Sequence, residues 1–264
     1  MTISPLVYWA AGFLVVSLAG LYITSKTIKI DLDKNGELVV AMLTILGTLV
    51  SVLLGLLVSS ADEQYRLLEE SVNSEATKVN QVFRLARGLS APTSYVVQDH
   101  CINYCEKVIS AEWPEMKNGE MSEDVTQIFT DMSDAIVMFR PVNDGEAVVQ
   151  SALLEAANDL GQNRGTRIVA SRSSWTRRLL PLILTCAIVV LACSYLYANR
   201  GSALLHYVLV GLVAVTLGIN IGVIVLMTGP FSSEWAIQPE GFKIRLELMR
   251  EFRHPTLRDG RPAL

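Results

Sequence analysis

Four stretches of this chain carry no Asp, Glu, Lys or Arg, and each is long enough to cross a lipid bilayer as a helix. The hydrocarbon core takes roughly 20 consecutive apolar residues at helical rise. The stretches run from about Pro5 to Ile23, from Leu38 to Ser60, from just after Arg177 and Arg178 to about Ala198, and from Leu204 to Thr228. Charge is dense between them. A bilayer imposes that segregation, because a charge in hydrocarbon is costly. It accounts for a composition that is 51% hydrophobic and only 18% charged, with a mean hydropathy of +0.37. The expected fold class is all-α: a four-span helical membrane protein with a helical insert between spans two and three. The expected domains are residues 1–60, 61–178, 179–228 and 229–264.

Tyr8, Trp9 and Tyr22 sit near the ends of the first span, where interfacial aromatics belong. A cleaved signal peptide would want a basic segment before it, and Met1 to Pro5 has none. Asn199 to Ala203 is a short link, so the last two spans form an antiparallel hairpin. Lys and Arg near the span ends set orientation. Arg66, Lys78, Arg164, Arg167, Arg172, Arg177, Arg178, Lys243, Arg245 and Arg250 fall on one side; Lys26, Lys29, Lys34 and Arg200 fall on the other. The first side is then cytoplasmic, which predicts a multi-pass inner (plasma) membrane protein with both termini inside. A net charge of −4 argues against nucleic acid as a partner. The four cysteines, Cys101, Cys105, Cys186 and Cys193, read as reduced, buried thiols.

The insert reads as helices. No proline interrupts Asp62 to Gly88, and Leu68, Val72, Val79 and Phe83 recur at helical spacing. This helix continues the second span, and residues 38–88 would form a rod of roughly 75 Å. Ser94 is the expected cap of the next helix, up to Trp113, with Val97, Cys101, Cys105 and Val108 facing inward. A helix over Ser122 to Phe139 follows. The last begins near Asp144 and carries Val148, Ala152 and Leu160. The tail resumes at Pro239 with Phe242, Ile244, Leu246 and Leu248. Pro181 is expected in the first turn of the third span, where a missing N–H costs nothing.

The second span has one unusual face. Thr44, Thr48, Ser51, Gly55, Val58 and Asp62 recur at spacings of four and three, among Leu, Val, Ile and Met. Small residues and hydroxyls allow close helix packing; the same pattern suits a pore lining with Asp62 at the mouth. In the fourth span, Gly218 and Gly222 form a GxxxG pair for close packing, and Asn220 needs a hydrogen-bond partner inside the bundle. Asp31, Asp33, Asn35 and Gly36 match the opening of a calcium loop, but the twelfth position is Met42 rather than a bidentate Glu. A polar turn competes with calcium there; no other cofactor is implied. His100, Cys101 and Cys105 lack a partner pair for zinc. No phosphate loop, nucleophile elbow or HExxH motif appears, so an enzyme is not expected.

Leu54-Gly55-Leu56-Leu57-Val58-Ser59-Ser60-Ala61 with Tyr65, and Pro230-Phe231 with Ile237, Pro239 and Phe242, resemble a bacterial membrane family of unknown function described as bestrophin-like. The order of parts also fits: two spans, a helical insert, a span hairpin, then a helical tail. Asp62 departs from the basic or small residue usual in the family. Ser232 and Ser233 stand where a glycine usually follows the Pro-Phe pair. Bestrophins are pentameric ion channels, mostly for chloride, whose second span lines the pore. The resemblance implies a homo-oligomer, with inorganic ions as its cargo and the face from Thr44 to Asp62 as its pore. Anion conduction is implied by the resemblance alone; a ring of Asp62 or Glu63 carboxylates would favour cations. The alternative is a non-conducting membrane scaffold or sensor whose cytoplasmic helical domain binds partners.

Overall fold

Apolar side chains around the whole circumference of a helix, rather than along one stripe, mark a helix that meets no water. Three helices contain a stretch long and apolar enough to cross a membrane: Pro5–Thr27, Gly36–Gly88 and Ala203–Met227. A fourth apolar helix, Leu179–Tyr195, is shorter. Large apolar residues such as Val15, Val16, Leu49, Leu56, Leu204 and Leu212 point outward from these helices, each more than half exposed.

The computed structural model describes residues 4–27, 36–172, 175–196 and 203–253. Their order is α1 (Ser4–Thr27), α2 (Gly36–Leu85), a 3-10 turn (Ala86–Gly88), α3 (Thr93–Lys107), a π-helical turn (Val108–Glu112), α4 (Trp113–Met116), α5 (Glu123–Val137), α6 (Asp144–Ser171), α7 (Trp175–Leu196), α8 (Ala203–Met227) and α9 (Glu240–Arg253). No strand occurs among the described residues. The calcium-like positions Asp31, Asp33 and Asn35 lie outside them, as do residues 199–202 of the expected hairpin link.

The chain divides into two units, one of residues 1–65 with 174–236, the other of residues 66–173 with 237–264. In the first, Val50 and Leu54 of α2, Ile183, Ala187, Val190 and Leu191 of α7, and Ala214, Leu217, Ile221 and Ile224 of α8 form one buried cluster. Helix α1 runs antiparallel to α8. A Cβ on Gly218 would come within 2.8 Å of the Trp9 carbonyl oxygen, 2.9 Å of Phe13 Cβ and 3.0 Å of Ala10 Cα, and one on Gly222 would strike the Trp9 side chain. The GxxxG pair therefore lets two helices touch at backbone distance. Gly218→Ala should lower stability by about 1–3 kcal/mol, the usual cost of overpacking. Gly12→Ala, with nothing within 4 Å of the added atom, should not. Thermal unfolding in detergent compares the two.

Several expectations are corrected. Pro181 lies inside α7, because the helix already begins at Trp175, so the carbonyl four residues back loses its N–H donor. Asn220 is satisfied by its own helix, its Nδ2 donating to the Thr216 carbonyl at 2.8 Å, and needs no partner elsewhere in the bundle. Ser94 does not cap α3: it is buried, its N–H donates to the Ser90 carbonyl, and Pro92 is the cap position. The helix also passes Pro114, since the π-helical turn before it shifts the hydrogen-bond register, Trp113 N–H donating to the Val108 carbonyl.

In the second unit, Leu68, Val72, Val79 and Phe83 are buried as their spacing predicts, together with Val97, Cys101, Cys105 and Val108. Burial pushes the Cys101 and Cys105 thiols well above the ordinary range, so they stay protonated. Helix α6 starts on an Asn143 cap that accepts from Glu146 N–H, while the Glu146 carboxylate accepts from Val142 N–H. Its inner face keeps the expected Leu160 but is otherwise Leu153 and Ala156 rather than Val148 and Ala152; Val148 is 70% exposed.

Candidate functional site

Helix α2 has three faces. Val50, Leu54, Leu57 and Ala61 meet the core of the first unit. Ile45, Leu49, Val52 and Leu56 are large, apolar and exposed. Between these lie Thr44, Thr48, Ser51, Gly55 and Asp62, all exposed. At 3.6 residues per turn, the small and polar face stands roughly 110° from each of the others. Five of the six residues expected on it are on one open surface. Val58 sits at its edge and is half-buried against the core.

From Thr44 to Gly55 the polar face is exposed among the described residues. A Cβ on Gly55 would meet nothing within 4 Å, nor would one on Gly47. Thr44 and Thr48 donate their hydroxyls to the carbonyls of Val40 and Thr44, each at 2.8 Å. That satisfies the O–H internally while leaving the oxygen's other lone pair outward. The result is a mildly polar wall without fixed charge until Asp62.

Beyond Asp62, the same helix carries Glu75 into a buried ionic cluster in the second unit. The Arg167 guanidinium donates from Nε and Nη2 to Glu75 at 2.7 and 2.8 Å, and from Nη2 to Glu112 at 2.7 Å. Glu112, on the π-helical turn, also accepts from Arg164 at 2.7 Å, and Tyr104 donates to Glu75 at 2.6 Å. Glu75, Glu112 and Arg167 are fully buried. Burial alone would favour neutral Arg167, but the charge and hydrogen bonds of Glu75, with Glu112, outweigh it and raise the guanidinium pKa. Burial first, then Glu75, pushes the Tyr104 phenol up, so it remains a donor. The cluster fixes α2 against α3, the π-helical turn and α6. Trp113 and Phe242 close over the guanidinium at 5.3 and 5.8 Å.

A family model for the bestrophin-like domain matches residues 11–242, nearly the whole chain. The chain belongs to the bestrophin-like family. Its fold is shared with a solved structure, a bacterial bestrophin homolog from Klebsiella pneumoniae, at a TM-score of 0.63 over 95% of this chain and 98% of that one. Sequence identity between the two is 10%. None of the curated proteins matches the sequence.

In this bestrophin-like chain the ionic cluster had a sequence signal that composition hides. Arg164 and Arg167 continue the apolar face of α6 from Leu153, Ala156 and Leu160 at spacings of three and four. Glu75 falls between Val72 and Val79 on the inner face of α2. A charged residue in register with an apolar stripe demands a buried partner. Which helix supplies it is a long-range fact. His100, half-exposed, and the buried Cys101 and Cys105 form no metal site; no group of His, Cys, Asp or Glu among the described residues has that arrangement.

Proposed function

We propose that the chain is one subunit of a homo-oligomeric ion channel of the bestrophin kind, in which copies of α2 surround the pore. In this reading α1, α2, α7 and α8 cross the membrane. Both termini and the helical insert are cytoplasmic, and the assembly is a pentamer in the inner membrane. One observation carries it: α2 lines up exposed hydroxyls, a glycine and Asp62 along one face, where a Cβ added at Gly55 would meet nothing within 4 Å. A face turned to lipid would have no use for these groups, and the neighbouring face of Ile45, Leu49, Val52 and Leu56 already has the lipid or subunit-contact character. Family membership supports the channel class.

Purified protein in planar bilayers should pass ions. Selectivity is read from Asp62. A ring of these carboxylates raises the local cation concentration; one unit charge at about 4 Å is worth about 1 kcal/mol even in water. Asp62→Asn should therefore shift the cation-to-anion permeability ratio towards anions by about fivefold, measured as a reversal potential under a salt gradient. The scaffold reading differs at the same face. Cysteines at residues 44–55 should react with water-soluble thiol reagents if that face lines a pore, and stay unreactive if it is packed.

A further inference from the structure

We propose that a groove in the first unit, where α1 begins and α8 ends, binds a membrane lipid with a primary ammonium headgroup, Glu234 supplying the counter-charge. The groove encloses about 420 Å³, within the size range of built ligand sites. Tyr8, Trp9, Gly12 and Phe13 of α1 line it, with Leu226 at the end of α8. Glu234 is the one charged group among its lining residues. The Glu234 carboxylate has no ion-pair or hydrogen-bond partner among the described residues.

The turn that carries Glu234 is held in place, with Glu234 itself exposed. Ser232 and Ser233 N–H donate to the Gly229 carbonyl at 3.2 and 2.9 Å. Ser233 Oγ donates to the Leu226 carbonyl at 2.7 Å and accepts from Trp235 N–H at 3.2 Å. Phe231 and Trp235 on either side are buried, and Tyr65 donates to the Trp235 carbonyl at 2.6 Å. A negative charge carried on an anchored turn at the mouth of an apolar trough selects a ligand with a cationic end and a hydrocarbon body. The trough has no side chain at Gly12, where an added Cβ would meet nothing within 4 Å. Trp9 is pinned against Gly222, and Tyr8 and Trp9 are the side-chain types that stand at headgroup level. The lipid class these features fit is phosphatidylethanolamine. Phosphatidylglycerol, with a net negative head, would meet Glu234 with like charge.

The proposal rests on the reading of α1 and α8 as membrane-crossing, not on conduction. Native mass spectrometry of the purified full chain, with the two lipids at matched acyl chains, tests it. Phosphatidylethanolamine should be retained about three- to fivefold over phosphatidylglycerol, the range of a solvent-accessible ion pair. Glu234→Gln should abolish that preference while leaving the fold intact. Gly12→Leu should reduce binding of both lipids, because it fills the trough without displacing a neighbour. Equal retention of the two lipids, or a preference unchanged in Glu234→Gln, would overturn the proposal. So would a disulfide between copies through Tyr8→Cys in native membranes, which would make a second copy the occupant. Release of the protein from membranes by alkaline wash would overturn the membrane-crossing reading itself.

Discussion

Arg167→Met should destabilise the second unit by about 3–5 kcal/mol, the cost of leaving buried charge uncompensated. Two carboxylates depend on this guanidinium. Glu112 would keep Arg164, at 2.7 Å. Glu75 would keep only the Tyr104 hydroxyl, and a phenol cannot neutralise a carboxylate that is fully buried. Arg167→Lys should recover little, because an ammonium cannot reproduce the fork that reaches Glu75 through two nitrogens and Glu112 through one of them. The triple change Arg167→Met with Glu75→Gln and Glu112→Gln should recover much more, since removing a whole buried ionic set is often close to neutral. Hydrogen exchange of α3 and α6, with thermal unfolding in detergent, reads the effect. Equal stability of Arg167→Met and the parent chain would mean that the cluster is not a unit.

The ionic cluster also marks where sequence reading stops. The apolar runs of α1, α2 and α8 are legible because transfer into hydrocarbon acts on each residue independently. The continuation of α2 past Asp62 is legible because nothing in 62–85 breaks a helix. Side-chain identity also places Gly218 and Gly222 in a close helix contact, though not against α1 in particular. Other features depend on partners distant in the chain. Helix α6 has apolar residues on more than one face, and the packing of its neighbours, not its own periodicity, selects Leu153 over Val148. The π-helical turn at Val108–Glu112 has no local signature; it aims Glu112 at two arginines some fifty residues onward, a geometry that exists only in the folded unit. Likewise, Glu234 reads as an ordinary loop carboxylate until the turn anchored by Ser233 sets it over an apolar trough. For the α2 face, the sequence supplies the residues and the structure supplies their exposure. Legibility fails again at the next level, because what meets that face lies outside the single chain.

On the proposed reading, in which copies of α2 surround a pore, Ser51→Trp should reduce current more than tenfold, a change of over about 1.4 kcal/mol in the barrier to permeation, while the oligomer stays intact. Ser51 lies on the open face of α2, between Thr48 and Gly55, and makes no described hydrogen bond that a larger side chain would break. Within one chain an indole there meets open space, so folding should be unaffected. In a ring of copies with this face turned to the axis, each would contribute an indole at the same height. Several such rings occlude a passage of ionic dimensions and replace a hydroxyl wall with an apolar one, which gates by dewetting. Ser51→Ala removes only the hydroxyl and should leave current within about twofold, because carbonyl and water dipoles remain to solvate the ion. The packing alternative gives the opposite pattern. If Thr48, Ser51 and Gly55 let helices of adjacent copies approach closely, a tryptophan among them would force the copies apart. Ser51→Trp would then dissociate the assembly in size-exclusion chromatography with light scattering. Loss of current with retained assembly thus identifies a water-filled face. Loss of assembly identifies a packed one and removes the pore from α2.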